Sequence, residues 1–148
     1  MNKKIKAWYF SHTKKLGYGD NRRIVVGRTH MVKFPVYVER INCHVYRPVL
    51  CAAGLHGSIK PLHALHYKSY SRKRLYVWRV ELSGMMDIGV DKIAAEKRTY
   101  LWGYDASDVI DSYIEIAGKD KFINPVSMFE KQNRRLYRML MEGRAANV

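Results

Sequence analysis

Acidic residues are scarce in the first half of this 148-residue chain. Only two of its 13 Asp/Glu, against sixteen of its 27 Lys/Arg, fall within residues 1–74. That half carries the whole formal net charge of +14, and the second half is neutral. One-sided positive charge is the footprint of a surface that meets phosphate backbone or an acidic partner. Long apolar runs are also missing. None approaches the roughly 18–20 residues that span a bilayer, so no transmembrane helix and no membrane partner is expected. Behind the basic start Met1–Lys6, Ala7–Phe10 is too short for the apolar region of a signal peptide. The expected location is therefore the cytosol, where thiols stay reduced.

Cysteine is scarce too. Cys43 and Cys51 alone make no disulfide framework in a chain of this length. Cys43, His44, Cys51 and His56 hold zinc-competent atoms, but paired CxxC knuckles are absent and the spacing fits no standard ligand set. No metal is expected; the thiols read as buried and the imidazole as bonded to backbone. Helix-turn-helix, zinc-finger and RRM signatures are absent, which removes sequence-specific DNA reading from consideration. No repeat or low-complexity segment stands out.

What is present is the makings of one packed domain. An apolar share of 47% with 12% aromatics supports a core, with Tyr, Trp, Val and Ile interleaved among the charges. Ile5–Phe10 reads as a first strand, Arg22–Gly27 as a second, and Val36–Ile41 with Val45–Leu50 as a hairpin that Pro48 ends early. Pro61–Ser69 reads as a short helix capped by Ser58. Leu75–Leu82 alternates most clearly, with Tyr76, Trp78, Val80 and Leu82 on one face, and stops at Ser83–Gly84. Lys92–Trp102 is read as a further strand. Two helices follow: Asp105 or Ser107 to Ala117, then Asn124 as N-cap with Pro125 first and Gly143 last. The expectation is a single basic α+β domain over 1–148, with a mainly antiparallel, twisted β-sheet, a short central helix and two C-terminal helices. Residues 1–104 would be mostly strands and 105–148 helical.

The basic clusters are the first candidate site. Lys14 and Lys15 follow the first strand, Arg22, Arg23 and Arg28 decorate the second, and Arg72, Lys73 and Arg74 fill one loop. On the last helix Lys131, Arg134, Arg135 and Arg138 form a basic stripe opposite Phe129, Leu136, Tyr137 and Leu140. Taken singly, each cluster reads as a solvated edge, loop or helix face. Taken together, the asymmetry reads as an electrostatic surface for nucleic acid or an acidic, nucleic-acid-bearing protein complex, with Trp8, Tyr9, Tyr18 and Tyr70 available to stack on bases.

The second candidate is the stretch Gly54-Leu55-His56-Gly57-Ser58, followed by His63, His66 and Tyr67. Glycines beside a His and a Ser suggest a tight turn before a helix, an arrangement that can receive an anion. It equally describes a strand-to-helix turn with a capping serine. Ser58 lacks a nucleophile-elbow context. Asp108, Asp111 and Glu115 share one helical face and read as solvated rather than as paired catalytic acids.

Residues 7–110 also carry an ordered set: Tyr18-Gly19-Asp20, Thr29-His30, Leu50-Cys51, Gly54-Leu55-His56, Trp78, Leu82-Ser83-Gly84, Asp91-Lys92, Arg98 and Tyr100-Leu101. This set resembles a family of uncharacterised phage and prophage proteins. The resemblance implies a phage-encoded protein acting in the cytoplasm of a bacterial host, and brings no activity with it. The chain departs from the family over about 34–49, which reads as an insertion, and in its C-terminal helices. The expected function is a non-catalytic accessory protein without cofactor that engages nucleic acid or a nucleic-acid-bearing host complex. An anti-CRISPR-like inhibitor of a host defence nuclease is one form of it.

Two alternatives stand beside it. The order Gly54, Tyr67, then strand Leu75–Leu82 is similar to the core of ADP-ribosyltransferase-like folds. That similarity implies an NAD-consuming enzyme with His56, Ser58 and Tyr67 lining the pocket and Glu81 or Glu96 as the acid. The other is a minor virion component facing packaged DNA.

Overall fold

The computed structural model describes residues 3–16, 20–68, 74–120 and 124–147. Its centre is a long antiparallel pair, β6 (Tyr76–Ile88) and β7 (Ile93–Asp105). β1 (Ile5–Ser11) pairs with β6 from Ile5↔Leu82 to Ser11↔Tyr76. The outer edge of β7 takes two short strands, β2 (Thr29–Met31) against Thr99–Lys97 and β5 (Leu55–Gly57) against Ala95–Ile93. β3 (Val36–Val38) and β4 (Cys43–Val45) form a separate hairpin that turns at Asn42, whose φ is +50°. The α+β class, the antiparallel sheet, the short central helix and the two C-terminal helices are all as the sequence predicts.

The sheet curls until its ends meet. Beyond β5, Ser58 forms an antiparallel bridge with Trp8 of β1, Trp8 N donating to Ser58 O at 2.7 Å and Ser58 N to Trp8 O at 3.0 Å. A hydrogen-bonded ring β1–β6–β7–β5 results. Its closure depends on small side chains. A Cβ added at Gly57 would stand 3.1 Å from the Ala7 Cβ and 3.3 Å from Leu82 Cδ1, so a larger residue there must push its neighbours back by a few tenths of an ångström.

Each face of the sheet buries its own core, because successive strand residues point to opposite sides. Trp8, Phe10 and Val77 meet the helices α1 (Pro61–His66), α2 (Ser107–Ala117) and α3 (Pro125–Ala146) through Leu62, Ile110, Leu136 and Leu140. On the other face Ala7, Trp78, Val80, Leu82 and Tyr100 are covered by Leu16, Ile24 and Leu55.

Several boundaries differ from expectation. The predicted strand Arg22–Gly27 is irregular; its end meets β7 through Gly27 N, which donates to Tyr100 O at 2.8 Å, and the paired strand begins at Thr29. Gly84 does not end β6. With φ of +77° it forms a bulge between Ser83 and Met86, and the strand continues to Ile88. Ser58 does not cap α1; Lys60 holds the N-cap position, and Asn133 Oδ1 of α3 accepts from Leu62 N at 3.1 Å. Asn124 does cap α3, accepting from Val126 N and Ser127 N. That helix runs through Gly143 to Ala146. Gly143 marks a close approach instead of an end, since a Cβ there would lie 2.6 Å from the Tyr104 hydroxyl.

Candidate functional site

Lys14–Leu16 and Arg22–Ile24 pair as the two arms of a small hairpin. Ile24 N donates to Lys14 O at 2.8 Å and Leu16 N to Arg22 O at 3.0 Å. Lys15 and Arg23 therefore form the bridge pair between those bonds, the position where facing side chains come closest. Leu16 and Ile24 pin the hairpin to the sheet. Both facing cations are exposed, and among the described residues neither has a carboxylate within 4.0 Å. Like charges placed directly opposite destabilise a strand pair. Arg22 differs: Asp20 holds it at 2.9 Å, and its Nη1 caps the β2 edge through Met31 O.

The remaining basic candidates divide between places. Lys14 Nζ stands 5.6 Å above the Tyr76 ring, and Arg28 is exposed just before β2. Arg74 pairs with Asp105 at 2.9 Å. Arg72 and Lys73, with Tyr18 and Tyr70, lie outside the described residues. The α3 stripe is split. Arg135 is largely buried against Asp120 at 2.7 Å, and Lys131 reaches the same carboxylate at 3.7 Å. Arg134 and Arg138 are exposed. Because α3 packs on the Trp8 face and the hairpin on the Trp78 face, the two basic sets lie on opposite sides of the sheet. The structure does not merge them.

Within the Gly54–Ser58 stretch Leu55–Gly57 is a strand paired with β7, not an open turn, and the Ser58 amide donates to Trp8 O of β1. The stretch does border a cleft of about 730 Å³, whose wall includes Tyr9, Cys51, His56, Tyr67, Lys92 and Arg98. His56 Nε2 accepts from Cys51 N at 3.3 Å, with the Gly54 carbonyl beside the other ring nitrogen. That arrangement fixes a neutral imidazole with its proton on Nδ1. Burial, then the charges of Lys92 and Arg98, push its pKa down to about 4. Ser58 also lines the cleft but is 2% exposed. Tyr67 is bound to Asp91, and that hydrogen bond raises its hydroxyl to about 12.

Glu81 is not on the cleft wall and pairs with Lys4 at 3.8 Å. Glu96 bonds Met85 N across the Gly84 bulge. Asp20 is the carboxylate that lines the cleft, and Arg22 engages it. His56, Ser58 and Tyr67 thus share a cavity, but the acids proposed to act with them stand elsewhere. The thiols of Cys43 and Cys51 are exposed, contrary to the expected burial. Cys43 sits on β4, while Cys51 lies 3.3 Å from Lys92 Nζ.

Arg98 belongs to the ordered set that carries the resemblance, but sequence reasoning placed it in no site. It is 2% exposed, donates from Nη1 to His56 O at 2.7 Å and from Nε to the Tyr100 hydroxyl at 2.9 Å, and lies 3.7 Å from the centre of the Tyr9 ring. Tyr100 passes the chain on to His30 Nδ1 at 3.0 Å, and His30 Nε2 reaches Arg23 O. The signal for it was the alternation of β7, in which Arg98 shares the phase of buried Tyr100.

No protein-family model, curated protein or solved structure matches this chain.

Proposed function

We propose that this chain is a polyanion-binding accessory protein. The Lys14–Ile24 hairpin, with Arg28 beside it, forms the surface that engages nucleic acid or a nucleic-acid-bearing complex. The observation that carries this reading is the facing pair Lys15 and Arg23, exposed and without a carboxylate among the described residues. Such a pair costs folding stability when unbound, and phosphates taken up one by each cation turn the repulsion into attraction. The absence of a recognisable base-reading motif fits binding by phosphate neutralisation without sequence choice.

The phage setting, and inhibition of a host defence nuclease as its biological form, come from the sequence resemblance alone. Arg134 and Arg138 on the opposite face are a secondary surface in this account.

A gel-shift titration with duplex and single-stranded DNA at two salt concentrations tests the direct form. Binding that weakens steeply with salt supports it, and no shift at low salt contradicts it. Capture from host lysate with and without nuclease then separates nucleic acid from an acidic protein as the bound species.

A further inference from the structure

The cleft has a charge of its own that the hairpin surface does not use. Three cations line it: Lys68, Lys92 and Arg98. Each is held over an aromatic ring, Lys68 over Tyr9 at 5.8 Å, Lys92 over Tyr67 at 4.3 Å and Arg98 over Tyr9 at 3.7 Å. None has a carboxylate within 4.0 Å among the described residues. Of the acids nearby, Asp20 is paired with Arg22, while Asp91, bonded to the Tyr67 hydroxyl, stays ionised and offsets part of the Lys92 charge. Arg98 is the decisive member. A guanidinium at 2% exposure that bonds only neutral oxygens and rests on the Tyr9 ring keeps its full charge in the wall, and Nη2 has no hydrogen-bond acceptor among the described residues.

Fixed positive charge in a low-dielectric wall favours an anion, and a dianion more than a monoanion. Apolar side chains, Leu16, Val32, Val36 and Ala53, line the same space beside Asp20, His56 and Ser58. A cleft of about 730 Å³ lies within the roughly 300–1,000 Å³ typical of sites for small organic molecules. We infer that this cleft binds a phosphate monoester of nucleotide size, with the phosphate among Lys68, Lys92 and Arg98 and a planar or apolar body against the opposite wall. The cations of this site are separate from Lys15 and Arg23, although Leu16 and Asp20 beside them share the cleft wall, and the inference stands whether or not Lys15 and Arg23 bind polyanions.

Cys51 supplies the reporter, and Cys43 on β4 the internal control. The rate of iodoacetamide alkylation at each thiol is followed by peptide mass spectrometry on the full chain. Adenosine 5′-monophosphate, phenyl phosphate and inorganic phosphate are titrated separately. Occupancy slows Cys51 about tenfold at saturation of either ester and leaves Cys43 unchanged, the shielding expected of a ligand covering most of a pocket wall. Inorganic phosphate protects only at higher concentration, because it lacks the body. Lys92→Gln and Lys68→Gln, both half-buried positions that a neutral side chain can occupy, each raise the half-protecting ester concentration by about tenfold through loss of one charge-assisted contact. Unchanged Cys51 alkylation up to millimolar ester overturns the inference. Equal slowing at both cysteines overturns it too, as does protection indifferent to both substitutions.

Discussion

Arg98 Nη1 donates to the main-chain carbonyl of His56 at 2.7 Å, so a buried charge on β7 bonds β5 beside the ring's closure. The same guanidinium stacks on Tyr9 of β1 and bonds Tyr100, which places it among three of the ring's residues from separate strands or turns. Closure and electrostatics thus meet at one side chain.

Removing that side chain should weaken the fold. Arg98→Met leaves the His56 carbonyl and the Tyr100 hydroxyl without their donor, and should cost about 2–4 kcal/mol in urea unfolding. A loss below about 0.5 kcal/mol, the range of ordinary surface changes, would mean that Arg98 does not hold the ring.

Closure itself has a sharper probe. Gly57→Ala introduces a Cβ at 3.1 Å from the Ala7 Cβ and 3.4 Å from Trp8 O. Overpacking of this kind should lower stability by about 1–3 kcal/mol. Native-state amide exchange at Ser58 and Trp8 should accelerate more than exchange along β6. Equal acceleration everywhere would argue against local opening of the ring.

His56 makes stability depend on pH. Its native pKa is about 4, against about 6.5 when unfolded. The unfolded chain therefore binds the proton first as pH falls, so stability drops between about pH 6.5 and 4 and is unaffected by this group above that window. The groups that set the field around the ring are Lys92 and Arg98. Full loss is about 3 kcal/mol by linkage. Urea midpoints across that range should fall in the native chain and fall less steeply in His56→Gln, where His30 and His63, also lowered by burial, still contribute; equal slopes in both would remove His56 as the cause.

Much of this fold was legible in local pattern. Alternation over Leu75–Leu82 revealed β6, and Asn124 before Pro125 marked the start of α3 because a cap is written in adjacent residues. The misses were non-local. β5 spans only Leu55–Gly57, too short to show a period, and its glycine looks like a turn until Ala7 is seen packed against it. Gly84 and Gly143 read as stops, yet one makes a bulge and the other a contact with Tyr104. At the sites, Lys15 and Arg23 were visible as basic residues, but their pairing required the chain reversal between them. Arg135 read as part of a free stripe, since its distance from Asp120 depends on how α2 and α3 meet.

That last contact separates structural from binding charge. Asp120→Asn should loosen the end of α2 against α3, seen as faster amide exchange near Arg135, with little change in polyanion affinity. Arg134→Ala with Arg138→Ala should do the reverse, leaving exchange unchanged and weakening binding less than changes in the hairpin. A larger affinity loss from the α3 pair would move the principal surface to the other face of the sheet.

The central claim is that the facing cations of the hairpin neutralise phosphates. Fluorescence anisotropy with labelled duplex DNA, repeated across a salt series, measures this directly for the native chain and for Lys15→Ala/Arg23→Ala. The account predicts that the slope of log K against log salt becomes shallower by about 1.8 in the double variant, near 0.9 for each phosphate released. A slope unchanged by the double substitution would contradict it.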